Sequence, residues 1–308
     1  MSAPTAVRRA SAQRAHVRGA LIAAGLLRAA RPRQWPKNLL VFAAVAASPS
    51  QASGPVLGRV ALCLVAFVLA SAGVYLINDV RDVEQDRRHW RKQTRPIAAG
   101  LVPIPVALTA AAVSLLLALT AAALTGGRVA LVVAGYIALC LAYSARLKRV
   151  PVLELVVLAA GFYLRTLAGS VAGGIPLSHW FTSVVCAGAL FLAVSKREAE
   201  LRELGAAAAG HRAVLGRYRV RTLRAARLVA AVAAIALYAG WAATRPGVVT
   251  PTLALVSTVP LIVGLIFYSR RVDAGQGDAP EELLLRARPL QLAVLAWAVA
   301  FSVAVFSG

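Results

Sequence analysis

Residues 64–90 read LVAFVLASAGVYLINDVRDVEQDRRHW, an apolar run that passes directly into an acidic segment. The apolar run begins near residue 57, and a run of about 20 apolar residues is long enough to cross a bilayer as a helix. The acidic segment holds four of the chain's 12 Asp and Glu residues. This junction predicts a transmembrane helix that ends in a polar site at one face of the membrane.

The composition extends this prediction to the whole chain. Of 308 residues, 59% are hydrophobic and 15% are charged, and the mean hydropathy is +0.72, which excludes an ordinary soluble domain. Continuous apolar runs favour helices over a barrel, because each helix satisfies its own backbone in lipid. We therefore expect an all-α polytopic membrane protein with nine transmembrane helices, near residues 36–50, 57–77, 102–124, 128–145, 151–173, 179–195, 225–243, 250–269 and 288–306.

The net charge of +22 follows the predicted topology. With the N-terminus in the cytoplasm, all but four of the 34 Lys and Arg residues fall in inner segments; Arg59, Arg128 and Arg245 lie outside and Arg165 lies within a span. This is the positive-inside pattern of a cell (plasma) membrane protein, and it argues against nucleic acid as the partner. We divide the chain into a basic cytoplasmic arm, residues 1–34, and a membrane domain, residues 35–308, with the lipid bilayer as partner.

The acidic segment has the spacing of a ligand site. Asn78, Asp82 and Asp86 are four residues apart and share one helix face, with Asp79 beside them. Carboxylate and amide oxygens suit Mg²⁺, which usually also binds substrate phosphates. Two other interpretations stay open from the spacing: a solvated loop balanced by neighbouring arginines, or the proton or cation relay of a transporter.

Further candidates are basic or lie within a span. Arg91 and Arg95 follow the acidic segment and suit a diphosphate, although inner-leaflet anchoring is the alternative. Glu154 and Arg165 are 11 residues apart, close to three helical turns, so they share a face of one predicted span. An ionisable residue at this depth usually faces a polar cavity, and the alternative for Arg165 is a side chain that reaches the outer interface.

The motifs together resemble the UbiA superfamily of intramembrane prenyltransferases. The resemblance rests on Asn78-x-x-x-Asp82-x-x-x-Asp86, on RPRQWPKNLLVF at residues 31–42 and on TRPIAAG at residues 94–100. Most members carry a second Asp-rich motif after span six, whereas this chain has SKREAEL at residues 195–201. The combination of that segment with the first motif and with YLRTLAG at residues 163–169 makes the chain more similar, over about 270 residues, to the branch that transfers 5-phosphoribose to a polyprenyl phosphate.

The resemblance implies an Mg²⁺-dependent phosphoribosyltransferase that moves 5-phosphoribose from phosphoribosyl diphosphate to decaprenyl phosphate, for synthesis of cell-wall arabinan precursors. Asp82, Asp86, Asn78 and Asp79 would form the catalytic metal site. Donor phosphates would be bound by Arg91, Arg95, Lys196, Arg197 and Lys37, and the lipid phosphate by Arg165, Tyr143, Arg146 and Lys148, with Glu154 and Glu200 as further site residues.

Two other functions stay open at this stage. One is a UbiA-type prenyltransferase that uses a prenyl diphosphate donor, which the basic SKREAEL segment argues against. The other is a transporter or lipid carrier, for which ionisable groups deep in several spans would be expected, whereas only Arg165 lies deep here. The prenyl chain length and the oligomeric state, including a homo-oligomer, are not determined by these patterns.

Overall fold

The protein is described by a computed structural model, which covers residues 3–90, 92–208, 214–244, 255–277 and 280–306. Within these ranges the secondary structure is helical, without strands, which confirms the all-α prediction. The helices are α1 Ala3–Ala29, α2 Ala43–Ala47, α3 Gly54–Arg81, α4 Val83–Arg88, α5 Ile104–Thr125, α6 Gly127–Ala145, α7 Leu153–Gly173, α8 His179–Leu204, α9 Val220–Thr244, α10 Thr258–Asp273, α11 Pro280–Arg286 and α12 Arg288–Phe306.

Six of these helices, α3 and α5 to α9, are long and apolar enough to cross a membrane, and a shorter apolar helix covers Arg288–Ala304. The first predicted span, residues 36–50, differs from expectation: it forms a 3-10 helix over Pro32–Phe42 and the five-residue helix α2. The eighth lies partly outside the described residues, and its helix α10 has 16 residues. The count of nine spans therefore stays a prediction.

The chain divides into two compact units, of which the first comprises residues 1–35 and 62–137. Its core joins the end of α1, the end of α3 and the start of α5 through Ala29, Leu76, Ile97 and Ala107. The predicted basic arm thus contributes its last turns to a core. Gly73 of α3 lies against Leu115 of α5, so the two helices approach closely where the acidic segment begins.

The second unit comprises residues 36–61 and 138–308. Helix α7 is closely approached by the RPRQWPKNLLVF segment, because a Cβ added at Gly169 would overlap the Val41 carbonyl group. Helix α8 begins at a Ser178 cap whose hydroxyl accepts the Phe181 N–H at 3.1 Å. Phe191 of α8 packs against Tyr268 of α10 with ring centroids 5.5 Å apart. The cap holds the start of α8, and the Phe191–Tyr268 contact lies one turn before SKREAEL at residues 195–201.

Candidate active site

The acidic segment keeps its helical register where α3 ends. The Asp82 N–H donates to the Asn78 carbonyl at 2.9 Å, and the Asp86 N–H donates to the Asp82 carbonyl at 2.8 Å. Asn78 and Asp79 therefore lie on the last turn of α3, Asp82 at the junction and Asp86 within α4. The predicted four-residue spacing is preserved across the junction between the two helices.

Two of the four predicted metal ligands are buried and paired with arginine. Asp79 is 3% exposed, and its Oδ1 accepts from Arg31 at 2.5 Å and from Arg95 at 3.2 Å. Asp86 is 2% exposed, and its Oδ2 lies 2.6 Å from Arg95 Nη1. Arg95 thus bridges the two carboxylates. We name these residues, with Asn78, Asp82 and Arg31, the acidic cluster.

Arg31 has a left-handed backbone conformation, with φ +56, which is rare for a residue other than Gly, Asn or Asp. Its guanidinium stacks over Tyr75, 4.8 Å from the ring centroid. Sequence reasoning did not single out Arg31, which lies 48 residues from Asp79. In the sequence, Arg31 is distinguished by its position directly before Pro32 in the RPRQWPKN lead-in.

The acidic cluster fits a magnesium ion in its chemistry. The Asn78 Oδ1 is buried and has no hydrogen-bond partner. A buried oxygen without a partner destabilises the folded state unless a cation or a hydrogen-bond donor binds it. Asp82 is half-buried beside it in register. Among the residues that the structure describes, no group of three or more His, Cys, Asp or Glu is arranged to hold a metal by itself. An ion that takes one or two carboxylates and completes its shell with water and phosphate suits this set.

The predicted donor-phosphate residues of the first unit are only partly described. Arg95 lies in the acidic cluster, whereas Arg91 lies outside the described residues. His89 and Lys92 follow α4, and the pKa of His89 is lowered by partial desolvation and by the nearby charge of Lys92. Lys37, in the second unit, is half-buried in the 3-10 helix.

The second unit has a buried charge centre around Arg197 of α8, which is 1% exposed. Its Nε lies 2.8 and 2.9 Å from the two carboxylate oxygens of Glu154, and its Nη2 lies 2.8 Å from Glu154 Oε2. The Nη1 donates to Glu200 Oε2 at 2.7 Å, and Nη2 also donates to the Tyr143 hydroxyl at 2.8 Å. We name Tyr143, Glu154, Arg197 and Glu200 the arginine centre.

Tyr218 adds to the arginine centre, and sequence reasoning missed it because no spacing marks it. Its hydroxyl accepts the Val152 N–H at 2.9 Å and also hydrogen-bonds Glu154. Burial raises the pKa of Tyr218, and the Glu154 charge adds to this. Val152 itself has φ +64, a strained conformation for a β-branched residue, so Tyr218 holds the start of α7 in place.

The residues predicted to bind lipid phosphate differ in how far they are buried in the protein. Tyr143 is in the arginine centre, and Arg146 and Lys148 follow α6, Arg146 exposed and Lys148 half-buried. Arg165 is buried within α7: its Nε donates to Asn38 Oδ1 at 2.7 Å and its Nη1 to the Gly161 carbonyl at 2.5 Å. Its side chain is thus engaged inside the protein, and it does not extend to the outer interface.

A second buried ion-pair network lies next to the arginine centre along α8. Glu198, which is 0% exposed, accepts from Arg227 Nε of α9 at 2.7 Å and from Arg202 at 2.8 Å. Arg227 also reaches Asp273 of α10 at 2.7 Å. Arg197 and Glu198 are adjacent, so one turn of α8 is tied by charge to α7 on one side and to α9 and α10 on the other.

A model of the UbiA prenyltransferase family matches residues 39–305. The chain belongs to the UbiA prenyltransferase family. This confirms the resemblance that the motifs indicated, and it places both the acidic cluster and the arginine centre, apart from Arg31, within the region that the family model matches.

Among curated relatives of this UbiA-family chain, the decaprenyl-phosphate phosphoribosyltransferase of Mycobacterium tuberculosis is 40% identical over 295 residues, 93% of this chain and 96% of that protein. The protein of the same name from Corynebacterium glutamicum is 38% identical over 291 residues, 92% of this chain and 88% of that protein. A solved UbiA homolog from Archaeoglobus fulgidus, bound to GPP and Mg²⁺, has a TM-score of 0.69 at 19% identity and covers 91% of this chain and 99% of that chain. The last comparison shows the UbiA fold.

Proposed function

We propose that this UbiA-family protein transfers 5-phosphoribose from phosphoribosyl diphosphate to decaprenyl phosphate, with release of diphosphate. The observation that carries the proposal is the identity of 40% and 38% to two decaprenyl-phosphate phosphoribosyltransferases over nearly their whole length. The arginine centre supports it, because the place where most members of the family carry a second acidic motif holds Lys196 and Arg197.

The reaction needs little acid–base help from the protein. An oxygen of the lipid phosphate, already an anion, forms the bond to ribose C1, and the bond from C1 to the diphosphate oxygen breaks. Positive charge develops on the ribose and negative charge on the leaving diphosphate. The protein's contribution is therefore to orient the two substrates and to stabilise the departing charge.

The acidic cluster serves the leaving group in this proposal. Asn78, Asp82 and Asp86 would hold Mg²⁺, which when bound neutralises part of the diphosphate charge. Arg95 pairs with Asp79 and Asp86 and can shift toward a diphosphate oxygen, since it is 30% exposed. Asp79 orients Arg95 and Arg31 through its buried carboxylate.

The remaining predicted residues bind the other phosphates. Lys196 and Lys37, with Arg91, bind the donor, and Arg146 and Lys148 attract the lipid phosphate. Arg165 and Tyr143 act through the residues that they contact, Asn38 and Arg197. Since the donor is a cytosolic polyanion, we place the N-terminus and the charged loops on the cytoplasmic side of the cell membrane, with the lipid chain in the bilayer.

The test is transfer by the purified protein in detergent or lipid, with Mg²⁺, labelled phosphoribosyl diphosphate and decaprenyl phosphate. We expect label in the lipid extract, and none when the metal is chelated or when Asp82→Asn replaces the wild type. Geranyl or farnesyl diphosphate should give no prenylated product with any acceptor. Prenyl transfer at a rate that rivals phosphoribosyl transfer would instead make the protein a prenyltransferase.

A further inference from the structure

Arg197 is almost completely buried, and each nitrogen of its guanidinium contacts a carboxylate or a phenol. The Glu154 carboxylate contacts one edge of the guanidinium: Nε lies 2.8 and 2.9 Å from its two oxygens, and Nη2 lies 2.8 Å from Oε2. Glu200 takes Nη1 at 2.7 Å. A phosphate group that binds Arg197 directly must displace one of these partners, because Arg197 is only 1% exposed and a phosphate reaches it only where a partner moves aside.

The two glutamates differ in how firmly they are held. Glu154 is 0% exposed, lies at the start of α7, and also meets the hydroxyls of Tyr143 and Tyr218. Glu200 is 15% exposed and lies three residues after Arg197 on the same helix. A change of side-chain rotamer alone can release Glu200, whereas release of Glu154 would leave a buried carboxylate without its charge partner.

Charge favours the same exchange. Arg197, Glu154 and Glu200 together carry one net negative charge, which disfavours a further anion at Arg197 while both glutamates stay in place. A buried arginine left without an anion on Nη1 is also costly, so the position needs a partner before substrate arrives. Glu200 supplies an anionic oxygen at the place where a phosphate oxygen would make a charge-assisted bond.

We propose that Glu200 is a placeholder for a substrate phosphate: its carboxylate occupies Nη1 of Arg197 in the free protein and is exchanged for a phosphate oxygen on binding. The proposal rests on the proposed function for the identity of the substrate, and it assigns Nη1 as the side of Arg197 that meets phosphate. Glu154 and Tyr143 keep the Nε and Nη2 edge in both states and act as positioning residues.

The decisive variant is Glu200→Gln. Glutamine keeps the length and an acceptor oxygen for Nη1 but no longer competes as an anion, so phosphate displaces it more easily. We expect inorganic diphosphate to bind the purified protein about 3- to 10-fold more tightly, since replacing a charged by a neutral partner changes a hydrogen bond by about 1 kcal/mol. Calorimetry without lipid acceptor measures this directly.

Two matched controls separate the exchange from a general loss of negative charge. Glu203→Gln removes one carboxylate from an exposed position three residues further along α8, and it should leave diphosphate affinity unchanged. Glu154→Gln should weaken binding, because it loosens the guanidinium. In the double variant Arg197→Ala/Glu200→Gln the gain from Glu200→Gln should disappear, since the two substitutions act on one contact.

The KM values of the two substrates identify which phosphate binds Nη1 of Arg197. A lower KM for phosphoribosyl diphosphate with an unchanged KM for decaprenyl phosphate assigns it to the donor, and the reverse assigns it to the lipid. If diphosphate binds the wild type and Glu200→Gln equally, or Glu203→Gln gives the same gain, Glu200 is not a placeholder, even in a protein that transfers phosphoribose. If the gain is found without any transfer activity, the placeholder stands and the proposed function fails.

Discussion

At the scale of single residues, two aspartates of the acidic cluster share the four-residue spacing but differ in burial and in pairing. Asp82 is half-buried at a helix junction, whereas Asp86 is 2% exposed and paired with Arg95 at 2.6 Å. Removal of the Asp86 charge therefore affects folding as well as chemistry, since it leaves a partly buried arginine with a weaker partner.

We expect Asp82→Asn to abolish transfer with an unchanged unfolding midpoint, and Asp86→Asn to abolish transfer and to lower the free energy of unfolding by about 1–3 kcal/mol. Thermal unfolding in detergent, measured beside the transfer assay, tests both. Glu84→Gln is the control, because that exposed carboxylate pairs with Arg87 in a surface contact and its replacement should change neither quantity. Normal turnover in Asp82→Asn would remove Asp82 from the metal site.

Gly169 is the residue at which the lead-in segment comes closest to α7. A Cβ there would overlap the Val41 carbonyl group, which belongs to the backbone and cannot rotate away. Gly169→Ala should lower the free energy of unfolding by about 2 kcal/mol or more through forced separation of the two segments. Gly188→Ala, at an open position of α8, should be neutral or slightly stabilising. Equal unfolding midpoints for the two variants would contradict this close approach.

At the scale of helices, α8 is held by opposite charges on both sides of one turn. Glu198 and Arg227 are both buried, and Arg227 donates to Glu198 at 2.7 and 3.5 Å and to Asp273 at 2.7 Å. One nitrogen of Arg227, Nη1, has no hydrogen-bond partner. The network therefore specifies the position of α8 against α9 and α10 at the cost of one unsatisfied buried donor.

A double-mutant cycle measures that role. Glu198→Gln and Arg227→Met should each destabilise the protein by about 3 kcal/mol, because each leaves a buried charge without its partner. The double variant should be less destabilised than the sum, with a coupling of about 1–3 kcal/mol. Chemical unfolding of all four proteins in the same detergent gives the coupling. Strict additivity would show that the pair does not act as a unit.

Hydropathy predicted the helices that are continuous and apolar, and it did not predict the type of helix where proline governs the backbone. The spans expected at 102–124, 128–145 and 151–173 are found at Ile104–Thr125, Gly127–Ala145 and Leu153–Gly173. The segment with Pro32 and Pro36 instead forms a 3-10 helix, because proline removes donors and clashes with the preceding α-helical turn. Apolar content alone carries no information on this difference.

The sequence predicted the helical spacing of the candidate site residues, but it did not predict which side chains pair with them. The four-residue spacing of Asn78, Asp82 and Asp86 is local, so the sequence alone carries it. The partners are long-range: Asp79 with Arg31, 48 residues away, and Arg197 with Tyr143, 54 residues away. Such pairings depend on tertiary packing, which spacing along the chain does not encode.

At the scale of the whole molecule, the asymmetry of charge predicts the orientation in the membrane. The outer segments are short and nearly uncharged, and the acidic cluster and SKREAEL lie in segments that the positive-inside rule assigns to the cytoplasm. The proposed reaction requires this predicted orientation, because phosphoribosyl diphosphate is a polyanion that does not cross a bilayer, and a site on the outer face would have no donor.

Two exposed glutamines report the orientation in intact cells. Gln51 lies between α2 and α3, at the predicted outer end of α3. Gln85 lies within α4, four residues after Arg81, which ends α3 at its predicted inner end. In a background with Cys63, Cys140 and Cys186 replaced by alanine and transfer activity retained, we expect a membrane-impermeant maleimide to label Gln51→Cys from outside the cell. Gln85→Cys should be labelled only after the membrane is opened, because the intact bilayer shields the cytoplasmic face. The opposite pattern would reverse the assigned topology and place the acidic cluster on a face that the donor does not reach.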